Sequence, residues 1–370
     1  MASRVFILGA GFSKQAGMPL ATEITPFLLD KFRKYDIQEM LQWFEFLKQR
    51  IDWLNQKSSS LENTINIEQV FDLAKFDIES WRLKQHKCPL GRNAGDTPWG
   101  VAEGIDTWLS YMEEDLVEII HEQQKVAENN IQTIINFAEC LRKDDVVLTF
   151  NYDTLLEKAF FLIGKKWNHG FQKDQSSGVT ICKMHGSIDW LIMRRNTSSH
   201  FNTIKLLFRK EDKNRNNQQD EKLTGELEYD YELARIYNDK LEAFVRGRHL
   251  QHQNSQFLFA LAGLGSYKPL HRVPGMGVVW LNGMKALLDT EQIYVIGFSL
   301  SSFDNMARLQ FAGAMCSRED KKKSRPSVTI IDPRADDLIT EFKSCFGSGT
   351  LIEPRKKRAE EVVDWSVELK

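Results

Sequence analysis

Six short, almost wholly apolar runs punctuate the chain: Arg4–Leu8 (RVFIL), Val146–Phe150 (VVLTF), Val179–Met184 (VTICKM), Phe257–Leu261 (FLFAL), Gln292–Ile296 (QIYVI) and Ser327–Ile331 (SVTII). Runs of this length without polar alternation predict strands buried on both faces. Between the first two, the period changes. Met40, Leu41, Phe44, Leu47, Ile51 and Leu54 recur at helical spacing, as do apolar residues in Val70–Phe76, Ile105–Ile120 and Ile131–Leu141. Pro19 and Pro26 predict a helix broken into short pieces after the first strand. Lys87–Gly100 and the Gly/Pro-rich stretch running to Gly277 read as loops, and the polar tract 209–222 as a solvated loop. Strands alternating with helices predict an α/β fold: a Rossmann-like parallel sheet with helices on both faces, plus an inserted α-helical module. The expected division is 1–34 and 145–370 for the sheet domain and 35–144 for the insertion.

Composition narrows the class. With 370 residues and 42% of them hydrophobic, the chain can bury more than one simple core. A formal net charge of -2 supplies no general attraction to nucleic acid or anionic membrane. Five cysteines, Cys88, Cys140, Cys182, Cys316 and Cys345, are scattered and never form a CxxC pair, which argues against a disulfide scaffold or a zinc ribbon. A reduced, cytoplasmic setting fits them, and no apolar run predicts a membrane span.

The chemistry-bearing residues sit where expected strands end. Gly9-Ala10-Gly11-Phe12-Ser13 follows the first strand and opens a helix, as in loops whose backbone approaches a pyrophosphate; a ligand-free tight turn would look the same. Asn151-Tyr152-Asp153 follows the second. Asn151 offers a donor and an acceptor to ribose hydroxyls or a held water, while Asp153 suits either a ligand or the cap of the next helix. His185-Gly186-Ser187 follows the third, placing an imidazole able to exchange a proton near neutral pH. Gly297-Phe298-Ser299, with Asp304 beyond it, and Asp332-Pro333 follow the last two. Asp332 at such a strand end can take ribose hydroxyls or simply make a turn.

Taken in order, GAGFSKQAG, FNYDTLLE, KMHGSIDW and IGFSLSSFD, with SYKP before the last, resemble the sirtuin-like family in its bacterial anti-phage defence branch. The helical region has no counterpart in that pattern. The resemblance implies that Asn151, Asp153 and His185 flank the nicotinamide ribose of NAD. It also implies that Gly9, Ala10, Gly11, Phe12 and Ser13 meet the phosphates and nearby ribose, and that Gly297, Ser299 and Asp332 serve the adenosine half. Deacylating sirtuins carry a zinc ribbon and an acidic-aromatic-arginine segment after the glycine loop. Here there is no CxxC pair, and the segment reads Met18-Pro19-Leu20-Ala21-Thr22-Glu23.

The resemblance thus implies an NAD hydrolase that cleaves the nicotinamide–ribose bond, with NAD as substrate and no zinc or other metal. Deacylation, ADP-ribosyl transfer, or a non-catalytic NAD or ADP-ribose scaffold are the alternatives. It further implies a homo-oligomer and a HerA-type ATPase partner, with nucleic acid reached only through that partner. Trp43, Trp53, Trp81 and Trp108 suit either an oligomer interface or a core, and the basic runs Lys321–Lys323 with Arg325 and Arg355–Arg358 suit a solvated face.

Overall fold

Among the described residues, seven parallel strands form the central sheet, in the order β10-β9-β8-β1-β2-β4-β3. The computed structural model describes residues 4–34, 38–56, 66–82, 98–171, 178–194, 231–235, 257–261, 265–266 and 275–369. The strands are β1 (Arg4–Leu8), β2 (Val146–Thr149), β3 (Trp167–Asn168), β4 (Val179–Lys183), β8 (Gln292–Ile296), β9 (Ser327–Ile331) and β10 (Ile352–Arg355). A separate antiparallel sheet, β6-β5-β7, joins β5 (Gly186–Arg194) to β6 (Tyr231–Arg235) and β7 (Phe257–Leu261).

The apolar runs are continuous because both faces of the parallel sheet are covered. Phe6, Leu8, Val147, Ile181, Tyr294 and Ile296 point into one core; Val5, Ile7, Val146, Leu148, Ile293 and Val295 point into the other. The second core is closed by α8 (Met276–Asp289), α9 (Asn305–Asp320) and α10 (Ala335–Phe346). The first is closed by α6 (Gln132–Cys140), α7 (Leu155–Leu162) and the short α11 (Trp365–Glu368), and it extends without a break into α2 (Ala21–Lys34), α3 (Gln38–Gln56), α4 (Ile67–Arg82) and α5 (Pro98–Ala127). Phe137 of α6 meets both Phe6 and Phe12 edge-on, at 5.6 and 4.8 Å between ring centroids. The helical region therefore shares one core with the sheet. Trp43 lies wholly inside that core and Trp53 is exposed; the side chains of Trp81 and Trp108 lie outside the described residues.

The starts of β1 and β2 are pinned by a buried ion pair. Arg4 reaches Asp145 at 2.6 Å and also donates to the carbonyls of Cys140 and Leu369, both at 3.0 Å. That network fixes the amino-terminal edge of the sheet and leaves the carboxyl edge to the loops.

Four expectations change. Helix α2 runs through Pro26, because its stripe Ile24, Leu28 and Phe32 is buried against the neighbouring helices and outweighs the lost backbone hydrogen bond. Helix α5 begins at Pro98, so Trp99 and Gly100 are helical; Pro at a helix start forfeits no bond. Helix α8 begins at Met276, after Gly275 in the left-handed region at φ 75. Phe257–Leu261 is a strand of the antiparallel sheet, not of the parallel one. The tract 209–222 lies outside the described residues.

Candidate active site

A topological switch sets the position of the site. From β1 the chain moves first to one side, to β2, and later returns to β8 on the other. A crevice opens at the carboxyl ends of strands on either side of such a switch. The strand order then lays the loops out in sequence along that edge: Asp332 after β9, Gly297–Ser299 after β8, Gly9–Ser13 after β1, Asn151–Asp153 after β2 and His185 after β4. A cavity of about 800 Å³ runs along them, lined by Gly9, Ala10, Gly11, Ser13, Asn151, Asp153, His185, Gly297, Ser299 and Asp332. The structure thus brings together every residue expected at the site except Phe12. The Phe12 side chain is buried against Phe137 in the core, so it anchors the loop from behind and gives no side chain to the cavity.

The glycine loop is shaped by a second loop. Gly9 N–H donates to the Ile296 carbonyl at 3.1 Å and Gly11 N–H to the Gly297 carbonyl at 3.0 Å. A Cβ on Gly9 would lie 2.5 Å from the Gly297 oxygen, and one on Gly297 would lie 2.3 Å from the Phe12 nitrogen. Gly297 also sits at φ 58. These glycines are therefore required first for two loops to touch backbone to backbone. The short helix α1 (Ala10–Lys14) follows, and Ala10 is the loop's exposed residue.

Asn151 locks this arrangement. Its amide nitrogen donates to the Gly9 carbonyl and to Ser13 Oγ, both at 2.9 Å, so both amide hydrogens are committed within the protein and only the carbonyl oxygen remains as an acceptor. Asp153 turns the chain: Oδ1 accepts from Leu155 N–H at 3.1 Å, the turn role for this residue, and the residue also lines the cavity. Asp332 behaves alike, accepting from Arg334 N–H at 2.8 Å. Beneath the loop, the buried Lys183 pairs with Glu157 at 3.4 Å and donates to the Asp153 carbonyl. Helix α5 clamps the same loop from the other side: Gln124 accepts from Thr154 N–H at 2.8 Å and donates to its hydroxyl at 2.9 Å.

His185 sits where the chain leaves the parallel sheet. Gly186 takes φ 82 to turn it into β5, which is why glycine follows the histidine. Trp280 of α8 donates to the Met184 carbonyl at 2.9 Å and holds that turn. Phe150 meets the imidazole edge-on at 5.0 Å and is itself stacked on Phe298 at 4.3 Å. The ring lies in an apolar slot, with Nε2 3.5 Å from Asp304 Oδ1. His121 and His169 are buried away from the cavity lining; His86, His200, His249, His252 and His271 lie outside the described residues, as do Lys268 and Pro269 of SYKP. Ser266 of that motif is described, donating to Asp72 of α4 from N–H and hydroxyl, both at 2.8 Å.

Further lining residues carry no sequence signal of their own. Ile24 of α2, Glu68 of α4, and Leu116 and Ile120 of α5 form a wall contributed by the helical region, and Arg334 and Arg358 reach the cavity near Asp332. They become visible only when the fold brings remote segments together. Tyr152 has a phenol held well above its usual pKa, first by burial and then by the negative charges of Glu68, Asp304 and Glu113, so it stays neutral. Burial alone would raise the Glu23 carboxyl, but the Lys14 ion pair and the Leu20 N–H hydrogen bond carry it below its usual value. The basic runs find acidic partners: Lys323 with Asp289, Arg325 with Glu319, Arg355 and Lys357 with Glu368, and Lys356 with Asp336. Among the described residues no group of three or more His, Cys, Asp or Glu is placed to hold a metal ion, and no helix is long and apolar enough to cross a membrane.

A family model described as SIR2-like domain matches residues 145–261, the stretch from β2 to β7. Comparison with curated proteins finds no match. Asn151, Asp153 and His185 fall inside the matched segment, and the glycine loop, Gly297, Ser299 and Asp332 fall outside it. The similarity to a SIR2-like domain thus covers under a third of the chain, and the Rossmann-like parallel sheet is consistent with it.

Proposed function

We propose that this protein is an NAD hydrolase, cleaving the nicotinamide–ribose bond to give nicotinamide and ADP-ribose. The observation that carries the reading is the convergence of Asn151, Asp153 and His185 with the glycine loop on one cavity at the carboxyl edge of the sheet. A cavity of about 800 Å³ falls in the usual range for a bound small molecule or cofactor.

The scissile bond joins a cationic leaving group to C1′ of the ribose. Its rupture leaves positive charge on the sugar, as in glycoside hydrolysis, and no acid is required for departure. Water oxygen then bonds to C1′ and its proton passes to a base. In this reading His185 takes that proton, or one from a ribose hydroxyl, and the Asn151 carbonyl oxygen holds the water or hydroxyl. The carboxylates of Asp153 and Glu68 favour the developing cation. Asp332 receives the adenosine ribose and Arg334 and Arg358 the anionic part of the substrate. The same reading makes the enzyme an anti-phage effector that depletes NAD as a homo-oligomer with a HerA-type ATPase partner; coexpression with such an ATPase and phage challenge tests that part.

Purified protein incubated with NAD is expected to release nicotinamide and ADP-ribose in equal amounts by chromatography. His185→Ala should keep the fold and lose turnover by roughly 10²–10⁴. Equal rates in the two proteins would exclude His185 as the base. A labelled acyl-peptide, carried through the same assay, separates hydrolysis from deacylation.

A further inference from the structure

Asp304 occupies the N-cap of α9, where an aspartate ordinarily accepts from a backbone N–H of the first helical turn. Here its side chain makes no cap hydrogen bond. The carboxylate is turned away from its own helix: Oδ2 accepts from the Ser301 hydroxyl at 2.9 Å, and Oδ1 faces His185 Nε2 at 3.5 Å. Both residues are almost wholly inside the protein, 5% exposed for His185 and 7% for Asp304. The preceding loop is held unusually. Leu300 is buried in the left-handed region at φ 49, a conformation a branched residue adopts only when its surroundings impose it, and its carbonyl accepts from Arg308 at 2.6 Å. The loop thus carries a constrained backbone and an aspartate diverted from capping, and both features bring a carboxylate to an imidazole.

We propose that Asp304 is a positioning residue that fixes the tautomer and orientation of His185, with the proton of the neutral ring on Nε2. The proposal rests on the reading of His185 as the base. Three contacts restrict the ring: Phe150 at its edge, Tyr152 with its ring centroid 5.9 Å away, and Asp304 at Nε2. Of these three, the last bears on one particular nitrogen. A carboxylate at a helix N-terminus is favoured in its charged form, and Ser301 adds a donor to it. Charged Asp304 therefore favours the proton on the facing Nε2 and stabilises the ring when it takes a second one. At 3.5 Å the two atoms meet as a charge contact without hydrogen-bond geometry, so the coupling between them is electrostatic. The elements around the ring also carry Lys183 on β4, Asp189 on β5, Arg308 on α9, Tyr152 and Asp153 on the β2–α7 loop, Glu68 on α4 and Glu113 on α5; the cavity wall further carries Asp332, Lys14, Glu23, Arg334, Arg358 and Glu360.

The test reads His185 directly, by ¹⁵N-edited NMR of imidazole nitrogens in ligand-free protein, with the signal assigned by its loss in His185→Gln. The parent should show the Nε2–H tautomer at high pH; the Nδ1–H tautomer would overturn the proposal without any further variant. In Asp304→Asn the midpoint of the ring titration should fall by about one unit or more. An unchanged midpoint would equally overturn it. In the NAD cleavage assay, Asp304→Asn should lower kcat by roughly a hundredfold with KM little changed, and the acid limb of kcat/KM should move to lower pH with the NMR midpoint. Loss of kcat with the pH profile unmoved would mean that Asp304 only supports the loop. If the parent cleaves no NAD while the NMR result holds, the hydrolase reading falls and the Asp304–His185 arrangement stands.

Discussion

Asn151 illustrates how much a single site residue does before any substrate arrives. With both amide hydrogens tied to Gly9 and Ser13, it joins the loops after β1 and β2 across 138 to 142 positions of sequence. Asn151→Ala leaves the Gly9 carbonyl and Ser13 hydroxyl without that donor and should cost about 1–3 kcal/mol in denaturant unfolding, along with turnover. Asn151→Asp should be worse, since it sets a carboxylate oxygen against the Gly9 carbonyl, although the Ser13 hydroxyl can turn to donate to it. The sequence marks Asn151, Asp153 and His185 because each follows a legible apolar strand. It offers a cap or turn role for Asp153 and Asp332 beside a ligand role, and the structure shows the turn bonds; that Phe12 faces the core is not legible, since it depends on side-chain direction. A thiol elsewhere gives a pH test. Burial pushes Cys182 up to about 12, from an ordinary value of 9.0. The unfolded chain therefore gains by ionising this thiol first. The contribution of Cys182 to stability is full below pH 9 and shrinks as pH rises toward 12. Cys182→Ala should flatten the alkaline loss of stability seen by thermal melting, and the exposed Cys316 should be alkylated long before Cys182 in the native protein.

At the level of elements, the active loop is held from two sides by groups that never reach the cavity. From below, Lys183 pairs with Glu157 and bonds the Asp153 carbonyl; from the helical region, Gln124 grips Thr154. Lys183→Met strips a buried carboxylate of its cation and should destabilise by about 3–5 kcal/mol, whereas Lys183→Met with Glu157→Leu should recover much of that. If the double variant stays folded yet turns NAD over slowly, the Asp153 carbonyl contact is what the reaction needs. Most helices and parallel strands were legible, because burial on both faces writes continuous apolar runs and burial on one face writes a helical stripe. The two-residue β3 and the edge strand β10, with Pro354 in it, carry no such pattern. Helix α2 crosses Pro26 because tertiary packing overrides a local rule.

For the whole molecule, the loops succeed one another along the sheet edge from Asp332 to His185, four strand spacings apart, roughly 19 Å at ~4.8 Å each. Residues at the two ends should therefore have separable effects. Arg334→Ala with Arg358→Ala should raise KM for NAD roughly tenfold or more and spare kcat, opposite to the pattern at His185. Steady-state kinetics of the two variants side by side checks this; a shared loss of kcat would place both ends in the chemical step. The parallel order was predictable in kind from strand–helix alternation. The antiparallel sheet was not, because its pairings join β5 to segments far along the chain and no periodicity records which strand meets which.

The position of β1 at the middle of the sheet also has a consequence for how the chain is made. Its five residues emerge well before their neighbours, β2, about 140 residues later, and β8, about 290 residues later. At synthesis rates of about 5–20 residues per second, RVFIL waits on the order of 10 s for its first partner and up to about a minute for its second. Until then an apolar, edge-ready segment is exposed, and its natural cover is the helical region translated in between. That region thus shelters the nascent strand as well as walling the finished cavity, and shortening it should lower the soluble yield of the protein before it touches the chemistry.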